Sequence, residues 1–287
     1  MIRLAIRCRR VDAEAALAEL LELAPGGIEE VDEPGGEPGV VEYAIYGAAG
    51  ELPDLGALRA AAGGALVEVR SEPVPDDWAE RWKRFYYPLL IAGQLYVRPP
   101  WERPAERGGV VEVVIDPGRA FGTGTHATTS MCLELLVGTR ARRGALAFLG
   151  RGEARSVCDL GCGSGVLAIA ASKLGFDPVL GVDLEQAAIE ESARNARLNY
   201  VELELRQADL RREAPVADVV TANLTAGLLE QVAARWAGHE ERPETVIASG
   251  FLSGEAGKVS QMLAAAGLDE EQHLMNGDWG ALIAHRS

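Results

Sequence analysis

Apolar side chains recur with two different spacings along the first 72 residues. Four short runs have the alternating or continuous apolar pattern of β-strands: residues 2–8, 28–31, 40–46 and 65–70. Two other runs have the apolar pattern of helices: residues 13–23 and 55–62. The resulting order, β-α-β-β-α-β, predicts a ferredoxin-like α+β domain over residues 1–72.

From residue 109 onward, short apolar runs alternate with helical patterns. The apolar runs predict strands at residues 110–115, 155–160, 178–182, 217–222 and 245–248. Helices are predicted at residues 129–136, 166–174, 185–198, 226–237 and 254–266. This alternation predicts a parallel sheet that helices cover on both faces. A final pair of runs predicts an antiparallel edge: residues 268–274 and 279–285.

The segment between these two regions, residues 73–108, differs in composition. Its first part holds a dense group of aromatic side chains: Trp78, Trp82, Phe85, Tyr86 and Tyr87. We interpret the segment as an interdomain linker whose aromatic side chains pack the two domains together. The alternative is a surface for a protein partner, since aromatic residues are enriched at interfaces. Farther along, the Arg- and Gly-rich residues 138–152 predict a surface loop.

Composition narrows the function. The 287 residues suit two domains, and 28 Lys and Arg against 43 Asp and Glu give a formal net charge of −15. Because this charge repels nucleic-acid phosphate, we expect no direct nucleic-acid binding. The four cysteines match no metal-ligand pattern, so no metal site is predicted and reduced thiols are expected. No apolar run predicts a membrane span or a signal peptide, so we expect a cytoplasmic protein, as a monomer.

A glycine-rich turn is the strongest local signal for a ligand. Residues 159–165, Asp-Leu-Gly-Cys-Gly-Ser-Gly, follow one predicted strand and precede one predicted helix. Glycines at alternate positions allow a sharp turn and a close approach of the ligand, and the helix N-terminus favours an anion. A dinucleotide fingerprint would place its third glycine at position 166, where this chain has valine. The spacing therefore argues against NAD.

An acidic residue follows at the end of the next predicted strand. Asp183 lies 22 residues after Gly161, where a carboxylate can accept hydrogen bonds from both hydroxyls of a ribose. The alternative is an aspartate that only caps the next helix. Together the strand, glycine turn, helix, strand and acid predict a nucleoside ligand.

Two further segments follow predicted strands, at the carboxyl edge where parallel sheets bind their ligands. Residues 116–129 link a predicted strand to a helix, and their glycines, hydroxyls and aromatic side chain predict a flexible lid. Helix capping by Thr128 and Thr129 is the alternative, as is a backbone-bonded loop residue for His126. Asn223 ends a buried strand, where its amide could orient an amine or, alternatively, cap a helix.

Taken together, these segments resemble the PrmA family, which methylates ribosomal protein L11 of the large subunit. The resemblance covers nearly the full chain and rests on residues 77–83, 98–101, 121–129, 159–165 and 222–224. It implies a class I, Rossmann-like methyltransferase domain at residues 109–287, a substrate-recognition domain at residues 1–72 and a linker at residues 73–108. The implied reaction transfers methyl groups from S-adenosylmethionine to lysine or N-terminal amino groups of that ribosomal protein.

The resemblance also implies roles for individual residues. Those expected to bind S-adenosylmethionine are Phe121, Thr123, Thr129, Gly161, Gly163, Asp183, Asp209 and Asn223. Asn223 is expected near the transferred methyl as the catalytic residue, Asp183 at the ribose, and Phe121 and Thr123 over the cofactor. Asp209 is expected at the adenine, with a simple turn residue as the alternative. No general base stands out, and His126 is the candidate.

Other functions remain open from the sequence. The chain reads Asn223-Leu224-Thr225 where the family usually reads Asn-Ile-Leu, and its residues 138–152 are longer than expected. The alternatives are a methyltransferase for another protein lysine or for a small molecule, a nucleotide-dependent dehydrogenase, and a binding module without catalysis.

Overall fold

A computed structural model describes most of the chain. It covers residues 2–13, 16–17, 20, 23, 28–31, 39–47, 52–73, 86–106, 108–117, 126–148, 155–238 and 241–287, without the side chains of residues 29–30 and 140–148. The chain divides into two compact units, Met1–Lys83 and Arg84–Ser287. Within the described residues, no helix is both long enough and apolar enough to span a membrane.

Unit 1 has the ferredoxin-like arrangement that its sequence predicts. Its strands are β1 (Ile2–Arg9), β2 (Glu29–Val31), β3 (Val40–Gly47) and β4 (Leu66–Pro73), and they pair antiparallel in the order β2-β3-β1-β4. Helix α1 (Leu55–Ala62) begins after Asp54, whose carboxylate accepts the N–H of Ala57. The described residues within 13–23 are helical as well. One side of the sheet packs on both helical segments, which buries Ile6, Leu20 and Leu58.

Unit 2 begins with a small separate sheet. Strands β5 (Leu89–Ile91) and β6 (Leu95–Arg98) are antiparallel, and β7 (Val111–Val114) lies parallel to β6. The prediction that residues 110–115 join the main parallel sheet is therefore wrong. Val113 and Ile115 are buried as expected, but their backbone pairs with β6. Strands β5 and β6 lie within the segment that the sequence predicts as a linker.

The main sheet of unit 2 has seven strands. They are β8 (Val157–Leu160), β9 (Val179–Asp183), β10 (Glu204–Gln207), β11 (Val219–Asn223), β12 (Thr245–Leu252), β13 (Leu268–Asn276) and β14 (Trp279–Arg286). Their order is β10-β9-β8-β11-β12-β14-β13; the first five are parallel, and β14 runs antiparallel to both of its neighbours. The predicted antiparallel edge is thus confirmed. Strand β10 was not predicted because it is short and largely exposed.

Helices cover both faces of this sheet. They are α2 (Ala127–Phe148), α3 (Val166–Lys173), α4 (Gln186–Leu198), α5 (Ala226–Trp236) and α6 (Ala256–Ala265). One core joins α2 and α3 to one face, and a second core joins α5 and α6 to the other. The prediction of a surface loop from residue 138 is wrong as far as Phe148, because α2 continues through this Ala- and Arg-rich stretch. Residues 149–152 lie outside the described part of the chain.

The bulge in β12 places Gly250 against the backbone that follows β11. The pairing of β12 with β14 shifts register between Ser249 and Phe251, and Gly250 has φ +90°. A β-carbon at Gly250 would lie 2.5 Å from the carbonyl oxygen of Leu224. Any side chain here would therefore displace Leu224.

We predict that Gly250→Ala lowers the urea midpoint of unfolding strongly. The left-handed backbone alone costs a residue with a β-carbon about 1–2 kcal/mol, and the collision with Leu224 adds to this. Gly254→Ala is the control, because its β-carbon would meet nothing within 4 Å. Equal midpoints for the two variants would contradict this account of the bulge.

Candidate cofactor and active site

The ends of three adjacent strands bring the predicted site residues to one edge of the main sheet. Leu160 of β8 lies level with Val182 of β9 and with Ala222 of β11. The residues that follow are Gly161, Asp183 and Asn223, so all three emerge at the same level. In parallel α/β sheets this carboxyl edge is where ligands bind.

The glycine turn leaves no room for side chains at Gly161 and Gly165. Gly161, Gly163 and Gly165 have φ values of +72°, +53° and +83°. A β-carbon on Gly161 would lie 2.6 Å from Cδ2 of Leu224, and one on Gly165 would lie 2.9 Å from the hydroxyl of Ser192. That hydroxyl donates to the carbonyl of Gly163 at 2.9 Å, which fixes the turn against α4. The turn is therefore held in one conformation by its neighbours.

Asp183 fixes the turn from the other side. Its Oδ2 accepts the N–H of Gly163 at 2.9 Å, and its Oδ1 accepts the N–H of Glu185 at 3.0 Å. The bond from Glu185 is a local turn before α4, of the kind that the capping alternative predicts. The bond from Gly163 ties Asp183 to the glycine turn instead. A carboxylate offers about four acceptor positions, so these bonds leave capacity for ribose hydroxyls.

A buried carboxyl lies beneath the turn. Asp159 is 1% exposed; its Oδ1 accepts the hydroxyl of Thr221 at 2.7 Å and its Oδ2 accepts the N–H of Ala168 at 3.2 Å. Burial raises the pKa of Asp159 to about 7, and the negative charge of Asp183 adds to the rise, while the two hydrogen bonds oppose it. Ala168 is the third residue of α3, so Asp159 anchors the first turn of that helix from inside the protein.

Asn223 and Thr129 meet across the edge of the sheet. The Asn223 amide donates to the Thr129 hydroxyl at 3.3 Å. Thr225, not Asn223, is the N-cap residue of α5, so the helix-cap alternative for Asn223 does not apply. Thr129 is fully buried in the first turn of α2. Two residues that the sequence separates by 94 positions are thus paired beside the glycine turn.

His126 lies just before α2 and is fixed in place on two sides. Its Nδ1 accepts the N–H of Thr128 at 3.4 Å and lies 2.8 Å from the Thr128 hydroxyl. Its ring meets Trp279 edge to face, with centroids 5.0 Å apart. These contacts give His126 a structural role at the start of the helix that carries Thr129.

Asp209 follows β10, next to the end of β9. The N–H of Ala208 donates to the carbonyl of Asp183 at 2.8 Å, which places Asp209 beside that residue. The Asp209 carboxylate accepts the Arg211 N–H at 3.0 Å and Arg211 Nε at 2.8 Å, and the side-chain bond lowers the pKa of Asp209. The turn interaction is thus present, and a contact with adenine stays a prediction. Phe121 and Thr123 lie outside the described residues, as do residues 77–83.

Two buried amides, one on α4 and one at its C-cap, were not predicted from the sequence. Asn195 and Asn199 are 0% and 4% exposed, and both bond to the backbone around β7. Their four-residue spacing on the buried face of an otherwise amphipathic helix is the signal that could have shown them, since buried amides need partners. The role of Asp159 as an internal anchor was missed as well, because it depends on Thr221 from a distant strand.

Comparison with known proteins decides the family. Residues 59–287 match the sequence model of the family described as "Ribosomal protein L11 methyltransferase (PrmA)". The chain belongs to the PrmA family. A relative of that name from Symbiobacterium thermophilum is 31% identical over 99% of this chain and 98% of its own length. One from Caldanaerobacter subterraneus is 39% identical over 66% of this chain, and the match spans 58% of that relative.

A solved PrmA-family structure shares the fold. The ribosomal protein L11 methylase of Lactobacillus delbrueckii matches with a TM-score of 0.59 and 28% identity, over 70% of this chain and all of that one. The resemblance to the PrmA family and the Rossmann-like class I fold predicted from the sequence are both confirmed. The strand order differs from that of dinucleotide-binding folds, because β14 is inserted antiparallel between β12 and β13.

We predict that Asp183→Ala weakens binding of S-adenosylmethionine at least tenfold, since hydrogen bonds to a charged group contribute about 1.5–3 kcal/mol. Isothermal titration measures the change. Glu185→Ala is the matched control, because this neighbouring carboxylate makes no capping bond. Wild-type affinity in Asp183→Ala would refute the ribose assignment.

We predict that Asp159→Asn changes the pH dependence of stability. The folded protein holds the Asp159 proton up to about pH 7, whereas the unfolded chain releases it near its usual pKa of about 3.9. The contribution of Asp159 to the stability of the wild-type protein therefore falls as the pH rises from about 4 to about 7. The amide of the variant cannot ionise, so its urea midpoint relative to wild type should rise from about pH 4 to about pH 7 and then level off. A difference independent of pH would contradict the raised pKa.

Proposed function

We propose that this chain is an S-adenosylmethionine-dependent protein N-methyltransferase that modifies ribosomal protein L11. One observation carries the proposal: a chain of the PrmA family places its glycine turn, Asp183 and the Asn223–Thr129 pair at one edge of the sheet. These are the groups that a nucleoside bearing a reactive methyl needs around it. The acceptors proposed are lysine or N-terminal amino groups.

The residues of this edge fit the cofactor. Asp183 has acceptor capacity for the ribose hydroxyls, and Asp209 beside it is an acceptor suited to an adenine amino group. Asp159 takes the N–H of Ala168, whereas the N–H groups of Val166 and Leu167 at the start of α3 have no partner within the helix and favour an anion, such as the carboxylate of the methionine part. The close contacts of Gly161 and Gly165 leave room for backbone only, as a turn around a ligand requires.

The chemistry needs alignment more than acid or base catalysis. S-Adenosylmethionine supplies an activated methyl group, and transfer forms a carbon–nitrogen bond while the carbon–sulfur bond breaks. The chain's residues must hold the acceptor nitrogen in line with the carbon–sulfur bond that breaks. This alignment can lower the barrier by several kcal/mol (about 7–11 at most). The Asn223 carbonyl oxygen can accept from the amine while its Nδ2 is held by Thr129, which points the nitrogen lone pair.

The acceptor must lose its proton before transfer. A free lysine has a pKa of about 10.4, and burial of the amine in the site lowers this value by penalising the charged form. The site therefore takes up the neutral form of the amine, which has given its proton to water in solution, so no protein base is required.

Charge and domain organisation support a protein substrate. The net charge of −15 attracts a basic partner, as proteins that bind ribosomal RNA tend to be. We assign recognition of this partner to the ferredoxin-like unit and methyl transfer to the seven-stranded unit. The proposed setting is the cytoplasm.

We predict that labelled S-adenosylmethionine transfers its methyl group to one protein among purified large-subunit ribosomal proteins, identified as L11 by mass spectrometry. Asn223→Ala should lower kcat at least tenfold, because the amine loses its orienting group. Gln231→Ala, an exposed amide on α5, should match wild type. Label in a different protein would show that L11 is not the substrate. If no protein of a cell extract is labelled either, the proposed methyltransferase activity is wrong.

A further inference from the structure

The amide side chains of Asn195 on α4 and of Asn199, its C-cap residue, take the place of a neighbouring strand along the end of β7 and the residues that follow it. Asn199 Oδ1 accepts the N–H of Val114 at 2.8 Å, and its Nδ2 donates to the carbonyl of the same residue at 2.6 Å. Asn195 repeats the pattern with Asp116, accepting its N–H at 3.0 Å and donating to its carbonyl at 3.3 Å. Each primary amide thus pairs with one residue as a peptide group of a strand would.

The repeat lengths of helix and strand allow this match. Four helical residues rise about 6.0 Å, and two extended residues span about 6.6 Å, so Asn199 and Asn195 meet Val114, the last residue of β7, and Asp116, two residues farther along. The other edge of β7 pairs with β6, and the carbonyls of Gln94, just before β6, and of Arg98 accept the N–H groups of Val111 and Ile115. The partners also fix the amide orientation, because a flipped amide would set donor against donor.

Asn195 makes one more contact, and this one reaches the glycine turn. Its Nδ2 also donates to the carbonyl of Ser164 at 2.9 Å. That carbonyl belongs to the same peptide group as the N–H of Gly165, which donates to the carbonyl of Cys162 at 2.8 Å. The peptide that begins α3 is therefore held at both of its polar atoms.

We propose that Asn195 is a positioning residue for the cofactor. It fixes the Ser164–Gly165 peptide, and with it the direction in which the first N–H groups of α3 point, while it holds Asp116 where the chain leaves β7. This role rests on the proposed function, since it assumes that S-adenosylmethionine binds at the glycine turn. Asn199 makes the same kind of bonds one helical turn away, but among the described residues its side-chain hydrogen bonds go to Val114 and to the Asn195 carbonyl, not to the glycine turn.

The two asparagines provide a matched experiment in the full-length protein. Asn195→Ala and Asn199→Ala each leave buried backbone groups without a partner, so both should lower the urea midpoint to a similar extent. Only Asn195→Ala should weaken S-adenosylmethionine binding, by about tenfold in isothermal titration, and raise KM for the cofactor more than it lowers kcat. Asn199→Ala should stay within about twofold of wild-type affinity, since a twofold change is under about 0.5 kcal/mol.

The outcomes separate the two levels of the proposal. Equal affinities of Asn195→Ala and Asn199→Ala would show that the amide serves stability alone and would overturn the positioning role. Failure of the wild-type protein to bind S-adenosylmethionine would overturn the proposed function, and this role with it. If Asn195→Ala does not fold, Asn195→Ser, which retains one donor, serves in the same comparison with Asn199→Ser.

Discussion

Close approach of backbone segments around Leu224 is the constraint on which the rest of the site depends. Its side chain lies over Gly161, and its backbone lies against Gly250 of the β12 bulge. Its N–H donates to the carbonyl of Ser249 at 2.9 Å. The residue directly before it is Asn223, so the packing that needs two glycines also sets where the proposed catalytic amide emerges. Leucine at this position satisfies the packing on both sides.

A second layer of buried polar groups holds the turn from below. Asp159, Thr221 and Asn195 come from β8, β11 and α4, and each makes hydrogen bonds that are shielded from water. Such groups contribute little net stability when paired but cost about 1–3 kcal/mol when a partner is lost, so they favour one arrangement strongly. The rigid part of the site is thus built from polar contacts as well as from the apolar cores on either side of the sheet.

Local sequence patterns predicted most of the fold, and they predicted the glycine turn and Asp183 of the site. The glycine turn, its flanking strands and Asp183 lie close together along the chain, so spacing alone relates them. The partner strand of β7 could not be predicted, because an apolar run does not show which strand will pair with it. The continuation of α2 through residues 138–148 was not predicted, because two glycines and a run of charged arginines are also typical of a surface loop. The Asn223–Thr129 and Asn195–Ser164 contacts depend on long-range packing, and no local pattern encodes them.

The C-terminal hairpin completes the site that the parallel strands begin. Because β14 is inserted between β12 and β13, its first residues reach the carboxyl edge of the sheet, where the hydroxyl of Ser249 donates to the carbonyl of Gly280 at 2.8 Å. Trp279 then lies against the ring of His126, at the start of the helix that carries Thr129. Thr129 in turn accepts the amide of Asn223. The antiparallel insertion that distinguishes this sheet from a dinucleotide-binding one therefore also fixes the hydroxyl that orients the proposed catalytic residue.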